Sequence, residues 1–230
     1  MFRTPRTATI WAFAASALAA TGAAVAQGRG PATQVTVLSG RCESCNLAGT
    51  TLVGARMTSG VFTKADFSRA RLQRVNATGS TFDQADFTRA DMAFARLSGG
   101  TFTDARFELT NLAHADASAA VLRQANFTGA DLTGALFQQS NLEGADLRGV
   151  TGVGAQFLRA NLRRSDFRKA DLTNANLSGA DLTGASFQGA ILAGADFSNV
   201  RGYSPKLMKD ACGDKDTKLP AGASLRSCPK

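Results

Sequence analysis

From Leu47 to Phe197 an apolar side chain returns at every fifth residue without one insertion. Each unit can be written i−2 to i+2, with the apolar residue at i. The stretch ADLTG ALFQQ SNLEG ADLRG from Ala130 shows the pattern. The run holds 31 units whose centres are 14 Leu, 12 Phe, 2 Met, 2 Ala and 1 Gly, and every i−2 residue is Ala, Ser, Thr, Gly, Val or Cys. A helix cannot use this spacing, because five steps of roughly 100° carry successive apolar residues to every face. A long strand fails as well, since an odd period sends alternate centres to opposite faces. The chain must turn after each unit.

Within a unit, i−2 and i point the same way, which suits a very short strand with both side chains inward. Four such sides close a coil of 20 residues, and coils stack at roughly 4.8 Å. The expectation is an all-β fold, a right-handed quadrilateral parallel β-helix in which each coil pairs only with its neighbours. Residues 20 apart should then lie over one another. One side reads Leu47, Phe67, Phe87, Phe107, Phe127, Leu147, Phe167, Phe187. Another reads Leu52, Leu72, Met92, Leu112, Leu132, Gly152, Leu172, Leu192, with no aromatic residue. That sorting by side supports the four-sided coil beyond the bare period, and the Phe stack can offset-pack down the axis.

The unit resembles that of the pentapeptide-repeat family, usually written A(D/N)LXX. ADLTG at Ala130 and Ala180, ANLSG at Ala175 and ADFSN at Ala195 match it directly. The resemblance covers about two thirds of the chain and implies the solenoid fold. It is nearly silent on function, because members range from gyrase-binding DNA mimics to proteins of no known role.

Residues 1–26 read as a cleavable secretory signal: a basic MFRTPR, an apolar ATIWAFAASALAA, and Ala24-Val25-Ala26 before Gln27. Arg3 and Arg6 are not adjacent, so there is no twin-arginine signal. An uncleaved anchor is the alternative, but an apolar core of about 13 residues is short for a span. Cleavage takes the net charge from +8 to +6 and removes Trp11. Residues 27–41 form a lead-in whose VTVL segment is expected to pair as a first strand over the open end. The repeat occupies 42–201, nearly eight coils or about 37 Å of tube. Centres Ala77, Ala117 and Gly152 are thin, and a bulge or altered turn is expected at VTGVG from Val150. After Val200 the period is read as ending, and 202–230 as a C-terminal cap. Ser204-Pro205 and Cys212-Gly213 predict a short capping helix over 204–212. The tail CGDKDTKLPAGASLRSC would wrap back over the end. The tail and the opening CESCNLAG also resemble terminal segments of exported bacterial pentapeptide-repeat proteins.

Four cysteines in an exported chain point to two disulfides. Cys42 and Cys45 precede the first coil, Cys212 and Cys228 follow the last, and the tube separates the pairs beyond bridging distance. Cys212–Cys228 is therefore expected, whereas Cys42 and Cys45, both at inward phases, read either as a bridge or as a buried thiol pair. No thioredoxin-like pattern surrounds Cys42-x-x-Cys45, and a four-Cys zinc site would need the two pairs to converge. No cofactor or metal is expected.

Two basic groups stand out. Arg69 and Arg89 fall 20 apart at i+2, with Arg71 and Arg74 past the next corner. Arg148 lies under Arg168, with Lys169, Arg164, Arg163 and Arg159 around one coil. Stacked like charges repel unless paired or holding an anion. The functional reading is a site for lipid headgroups, cell-wall polymers or nucleic acid. The competing reading, favoured here, is a solvated surface in which Asp146 and Asp166 neutralise Arg148 and Arg168. Outward apolar residues are few: Leu136 and Leu158 on adjacent coils of one side, and Phe94 between Arg74 and His114 in one ladder. His114, the single histidine, has no nucleophile placed to use it, and the aspartates recur at i−1 for architectural reasons. The Asn-x-Ser/Thr triplets at Asn76, Asn126 and Asn176 have the same origin.

The sequence thus points to a non-enzymatic exported module, periplasmic or extracellular, presenting a rigid surface to a protein or envelope partner. Binding of anionic envelope components through the Arg groups ranks second. DNA mimicry would need an acidic surface and a cytoplasmic location, so a nucleic-acid-related role is disfavoured.

Overall fold

A computed structural model of the chain describes residues 36–228. The signal segment and most of the lead-in lie outside the described residues. From Arg41 onward each i−1 residue pairs in parallel with the residue 20 further on, as in Asn46 with Asp66 and Thr51 with Arg71, and the ladder continues unbroken to Asp181 with Arg201. Four units therefore make one coil. Side 1 is the side through Leu47, side 2 through Leu52, side 3 through Met57 and side 4 through Phe62.

Each corner has one construction. The i+3 amide donates to the i carbonyl, as Ala70 N does to Phe67 O at 3.0 Å, and the i+2 residue has positive φ. This is the signature of a type II turn, which glycine suits best. Every i+2 residue from Ser44 to Asn199 nevertheless has positive φ, including Arg69, Leu109 and His114. The coil above helps hold these corners, because the i+2 amide donates there, as Arg69 N does to Thr88 O at 2.9 Å. Asp or Asn at i−1 finishes the turn by accepting from the i+1 amide; Asp66 Oδ1 takes Ser68 N at 2.8 Å. The repeated aspartates are thus accounted for by backbone geometry.

Inside, the i and i−2 residues form one continuous core. Phe67, Phe87, Phe107 and Phe127 stack down side 1 with centroids 4.7–5.1 Å apart and nearly parallel planes. Phe62, Phe82 and Phe102 stack down side 4 and meet the first column edge-on or tilted. Where side 4 changes to Leu, aromatic rings reappear on side 3 as Phe137 and Phe157.

The lead-in pairs where expected. Val37 pairs with Arg56 and Leu38 enters the core, only 7% exposed. Val37 pairs 19 residues ahead and Arg41 20 ahead, so this first corner, at Gly40 with φ 93°, is one residue short.

Two expectations are corrected. The VTGVG unit makes no bulge: Thr151 keeps its pairing with Asp131 below and Asp171 above. The ladder uses only backbone groups, and Leu172 Cδ2 reaches to 2.9 Å from where a Gly152 Cβ would stand. The capping helix over 204–212 is also not formed. Pro205–Met208 is a single 3-10 turn, with Ser204 Oγ accepting from Lys206 N. Beyond Met208 the chain pairs with the last full coil instead of continuing as helix, and the regular register ends after Arg201, as expected: Ile191 pairs 21 residues ahead and Asp196 22 ahead, where the full coils run 20. Leu207 O accepts from Phe187 N and Cys212 O from Leu192 N, each 20 residues on, one more than the 19 of the same bond in the full coils. The cap is in effect a last coil, covering side 4 with Arg201, side 1 with Leu207 and Lys209, side 2 with Cys212 and side 3 with Lys218.

The tail returns as expected. Strand β1 (Cys212–Gly213) pairs in parallel with β2 (Arg226–Ser227), and Cys212 is joined to Cys228. Gly213 O accepts from Cys228 N, and Asp214 Oδ1 accepts from Gly194 N at 2.9 Å, in the place where a carbonyl serves lower in the ladder. At the other end Cys42 is joined to Cys45, both buried.

Phe107 lies between two stacked rings in the middle of the tube. Phe107→Ala is expected to cost about 3–5 kcal/mol in denaturant unfolding, whereas Gly152→Ala, at ordinary φ and against a mobile methyl, costs less than about 1 kcal/mol. Equal losses would show that the axial core is not packed as described.

Candidate functional site

On this frame only the i−1, i+1 and i+2 side chains face outward, so any site is a pattern of columns read at steps of 20. The basic residues singled out from sequence are distributed over all four sides. Arg69, Arg89, Arg148, Arg168 and Lys169 lie on side 1, Arg71 and Arg74 on side 2, Arg159 on side 3, and Arg163 and Arg164 on side 4. The second group, compact along the chain, is thus not one patch. Side 1 instead brings together members of both groups.

Side 1 carries two open grooves. The upper one, about 380 Å³, is lined by Thr128, Arg148, Gly149, Arg168 and Lys169. Its arginines are engaged. Arg148 Nη2 lies 2.6 Å from Asp146 Oδ2 and its Nε donates to Asp146 Oδ1 at 2.8 Å. Arg168 Nη2 lies 2.6 Å from Asp166 Oδ2, and Arg148 Nε is 3.9 Å from the same oxygen. Burial pushes the Asp146 carboxyl up, but hydrogen bonds from the Arg148 side chain and amide, with its charge, hold it below the ordinary carboxylate value. Asp146 in turn raises the Arg148 guanidinium, and the hydrogen bond to Asp166 raises that of Arg168, above the ordinary value. Among the described residues only Lys169 in this groove lacks a carboxylate partner.

The lower groove, about 550 Å³, includes Arg69, Thr88, Arg89, Arg106 and Leu109 in its lining. Here Arg106 reaches Asp86 at 3.7 Å and Glu108 at 3.6 Å, while Arg69 and Arg89 make no ion pair among the described residues. Arg106 and Leu109 were not singled out from sequence. Reading the i+2 positions 20 apart, as Gly49, Arg69, Arg89, Leu109, Gly129, would have found the apolar step that ends the basic one.

Side 2 carries the outward stack expected from the ladder. Arg74 Cζ sits 5.9 Å from the Phe94 ring on its lower face, and the His114 ring stacks on the upper face at 5.1 Å and 18°. Phe94 is 52% exposed. Leu136 and Leu158 occupy adjacent coils of side 3; Leu158 is exposed and Leu136 half-buried. Among the described residues no group of His, Cys, Asp or Glu is arranged to hold a metal ion, and no helix is long and apolar enough to cross a membrane.

The unit, the 20-residue coil and the four-column core define a pentapeptide-repeat solenoid. The model of the family described as pentapeptide repeats matches in 8 copies between residues 41 and 201, and this chain belongs to that family, whose fold is a right-handed quadrilateral β-helix. Similar solved structures include HetL, a pentapeptide-repeat protein involved in heterocyst differentiation regulation in the cyanobacterium Nostoc sp. strain PCC 7120. It is 27% identical over 74% of this chain and 86% of its own, with a TM-score of 0.37. A pentapeptide-repeat protein from the Arabidopsis thaliana thylakoid lumen, AT2G44920, is 39% identical over 47% of this chain and 69% of its own, with a TM-score of 0.23. The plasmid-mediated fluoroquinolone resistance protein QnrB1 is 16% identical over 77% of this chain and 92% of its own, with a TM-score of 0.49. No curated protein matches the chain significantly.

The lowered Asp146 value links its ion pair to pH. A carboxyl depressed in the folded chain contributes stability that is complete above its unfolded value, about 3.9, and is lost as pH falls through the folded value. Arg148→Gln is expected to raise the Asp146 titration midpoint toward about 3.9, read by NMR of its side-chain carbon. An unmoved midpoint would mean that the pair is not populated in solution.

Proposed function

We propose that the protein is a non-enzymatic, exported scaffold that presents a rigid solenoid surface for interaction with another protein. One observation carries this reading. The backbone of the coils is taken up by their neighbours and nearly all i and i−2 residues face inward, so outward side chains are free to vary without disturbing the fold. The recurring i−1 aspartates serve the turns rather than acid–base chemistry. Both disulfides are compatible with export to an oxidising compartment, and a processed signal at 1–26 is part of the same proposal.

Association with anionic envelope components is the second reading, through Arg148, Arg168 and Lys169 in the upper groove. It is weakened by Asp146 and Asp166, which already occupy two of those three cations. Arg159, Arg163 and Arg164 contribute little to it, because they lie around the corners.

Exposed apolar residues on three sides, Leu109, Phe94 and Leu158, provide the test. With a photo-crosslinking side chain at each in turn, in cells producing the full chain, one discrete protein adduct is expected from one side and little from the others. The processed chain should begin at Gln27 by intact mass. Absence of a protein adduct from all three sides, or an unprocessed cytoplasmic chain, would overturn the reading.

A further inference from the structure

In the lower groove on side 1 two arginines stacked on successive coils stand without a carboxylate partner among the described residues. Arg69 and Arg89 occupy successive coils at the same i+2 position, each at positive φ, with backbones about 4.8 Å apart along the axis. Like charges at that spacing destabilise one another unless a counter-charge is near. The two carboxylates in the groove are directed elsewhere. Asp86 Oδ1 accepts from Thr88 N at 2.8 Å, and its other oxygen faces Arg106 at 3.7 Å. Glu108 Oε1 accepts from Asn126 Nδ2 at 2.6 Å, and its Oε2 faces Arg106 at 3.6 Å.

Two further features accompany the unbalanced pair. Thr88, in the groove lining, has a buried hydroxyl with no hydrogen-bond partner among the described residues. Buried hydroxyls are normally satisfied, so an orphan beside two unpaired cations is informative. Leu109 takes the next step of the same column and is 54% exposed, its Cδ2 lying 2.9 Å from where a side chain at Gly129 would begin. It sets one apolar side chain beside the two cations in the groove lining.

We propose that this groove is the docking site for an extended acidic segment of a partner protein, with carboxylates paired to Arg69 and Arg89 and an apolar side chain of the same segment over Leu109. The proposal rests on the scaffold reading above and names where that partner binds. Charge complementarity selects the occupant. Arg can grip a carboxylate through two parallel hydrogen bonds. A uniformly anionic membrane would also press against Asp86 and Glu108, whereas a peptide places its few charges singly. Alternate side chains of an extended segment repeat about every 6.6–6.8 Å, within the combined reach of two flexible arginines stacked one coil apart.

The test is selection of phage-displayed random peptides on the purified full chain, followed by solution binding of the enriched peptide. Expected are sequences with two Asp or Glu close to a large apolar residue, bound at least about tenfold more weakly by Arg69→Glu/Arg89→Glu and weakened by added salt. Arg69→Lys/Arg89→Lys should retain most of the binding and Leu109→Ser should lose several-fold, with thermal melting confirming that each variant folds. Enriched peptides that lack acids and bind the charge-reversed variant equally would overturn the groove while leaving the scaffold reading intact. Failure to enrich any peptide would also overturn the groove, and the crosslinking experiment judges the scaffold separately. Sedimentation with phosphatidylglycerol vesicles but not phosphatidylcholine vesicles, abolished by the charge reversal and without acidic peptides in the selection, would reassign the groove to a lipid surface.

Discussion

Everything in this molecule depends on the corner. A chain that turns through positive φ every fifth residue meets the steric penalty that keeps most side chains out of the left-handed region. Glycine escapes it, yet many corners carry Arg, Leu, Phe or Gln instead. Each such corner persists because three bonds converge there: the turn's own i+3 to i bond, the i+2 amide to the coil above, and the Asx cap on the i+1 amide where Asp or Asn is present. The arrangement is cooperative along the tube axis. A single coil alone would have its turns without the inter-coil ladder, as expected for repeat proteins in which neighbours supply much of the stability.

The same constraint sets the composition of the core. With backbone spacing fixed by the ladder, each coil encloses nearly the same cross-section, which four central side chains must fill. The coil with Phe62 and Phe67 has Ala77 as its fourth centre, and that with Phe102 and Phe107 has Ala117. Further along, Phe157 stands next to Gly152, and Leu172 closes over the missing side chain. These thin centres stand beside large ones, although the coil of Phe82, Phe87, Met92 and Leu97 has none, and the ladder passes through VTGVG unchanged because its bonds are all backbone bonds. Interiors tolerate such exchanges when total volume is kept.

The sequence made the fold legible to an unusual degree because a five-residue period admits so few solutions. Coil size, side order and the Phe stack all follow from counting. The errors came where local signals competed with register. Ser204-Pro205 is a sound helix start by capping rules, but the Leu207 and Cys212 carbonyls accept from Phe187 N and Leu192 N, and this pairing with the last full coil, one residue out of the regular register, prevails over helix propagation. At Val150 the loss of a bulky centre looked like a broken turn, although the turn resides in backbone bonds that Gly152 still makes. Candidate-site residues were less legible. Arg148 and Arg168 could be matched with Asp146 and Asp166 by spacing alone, whereas the grouping of Arg159, Arg163 and Arg164 with them followed chain proximity, which in a four-sided coil places neighbours around corners. Arg106 was missed because its role lies in drawing Asp86 and Glu108 away from Arg69 and Arg89, a relation across successive coils.

A fold whose inward residues are fixed by period and whose backbone bonds are internally satisfied leaves its outward columns almost unconstrained. Charges placed there face the ordinary surface rule that exposed pairs contribute little stability, so the choice between paired and unpaired arginines is hardly a folding matter. Side 1 shows both choices on one face: Arg148 and Arg168 each take a carboxylate from their own unit, while Arg69 and Arg89 do not. Asp66 and Asp86 stand at i−1 in those lower units just as Asp146 and Asp166 do in the upper ones. What differs is where the cation sits. At i+1 the guanidinium folds back onto the carboxylate two residues earlier; at i+2 it is carried past the corner and left facing the groove. A one-residue shift in the placement of arginine thus separates a self-neutralised surface from one that presents charge outward.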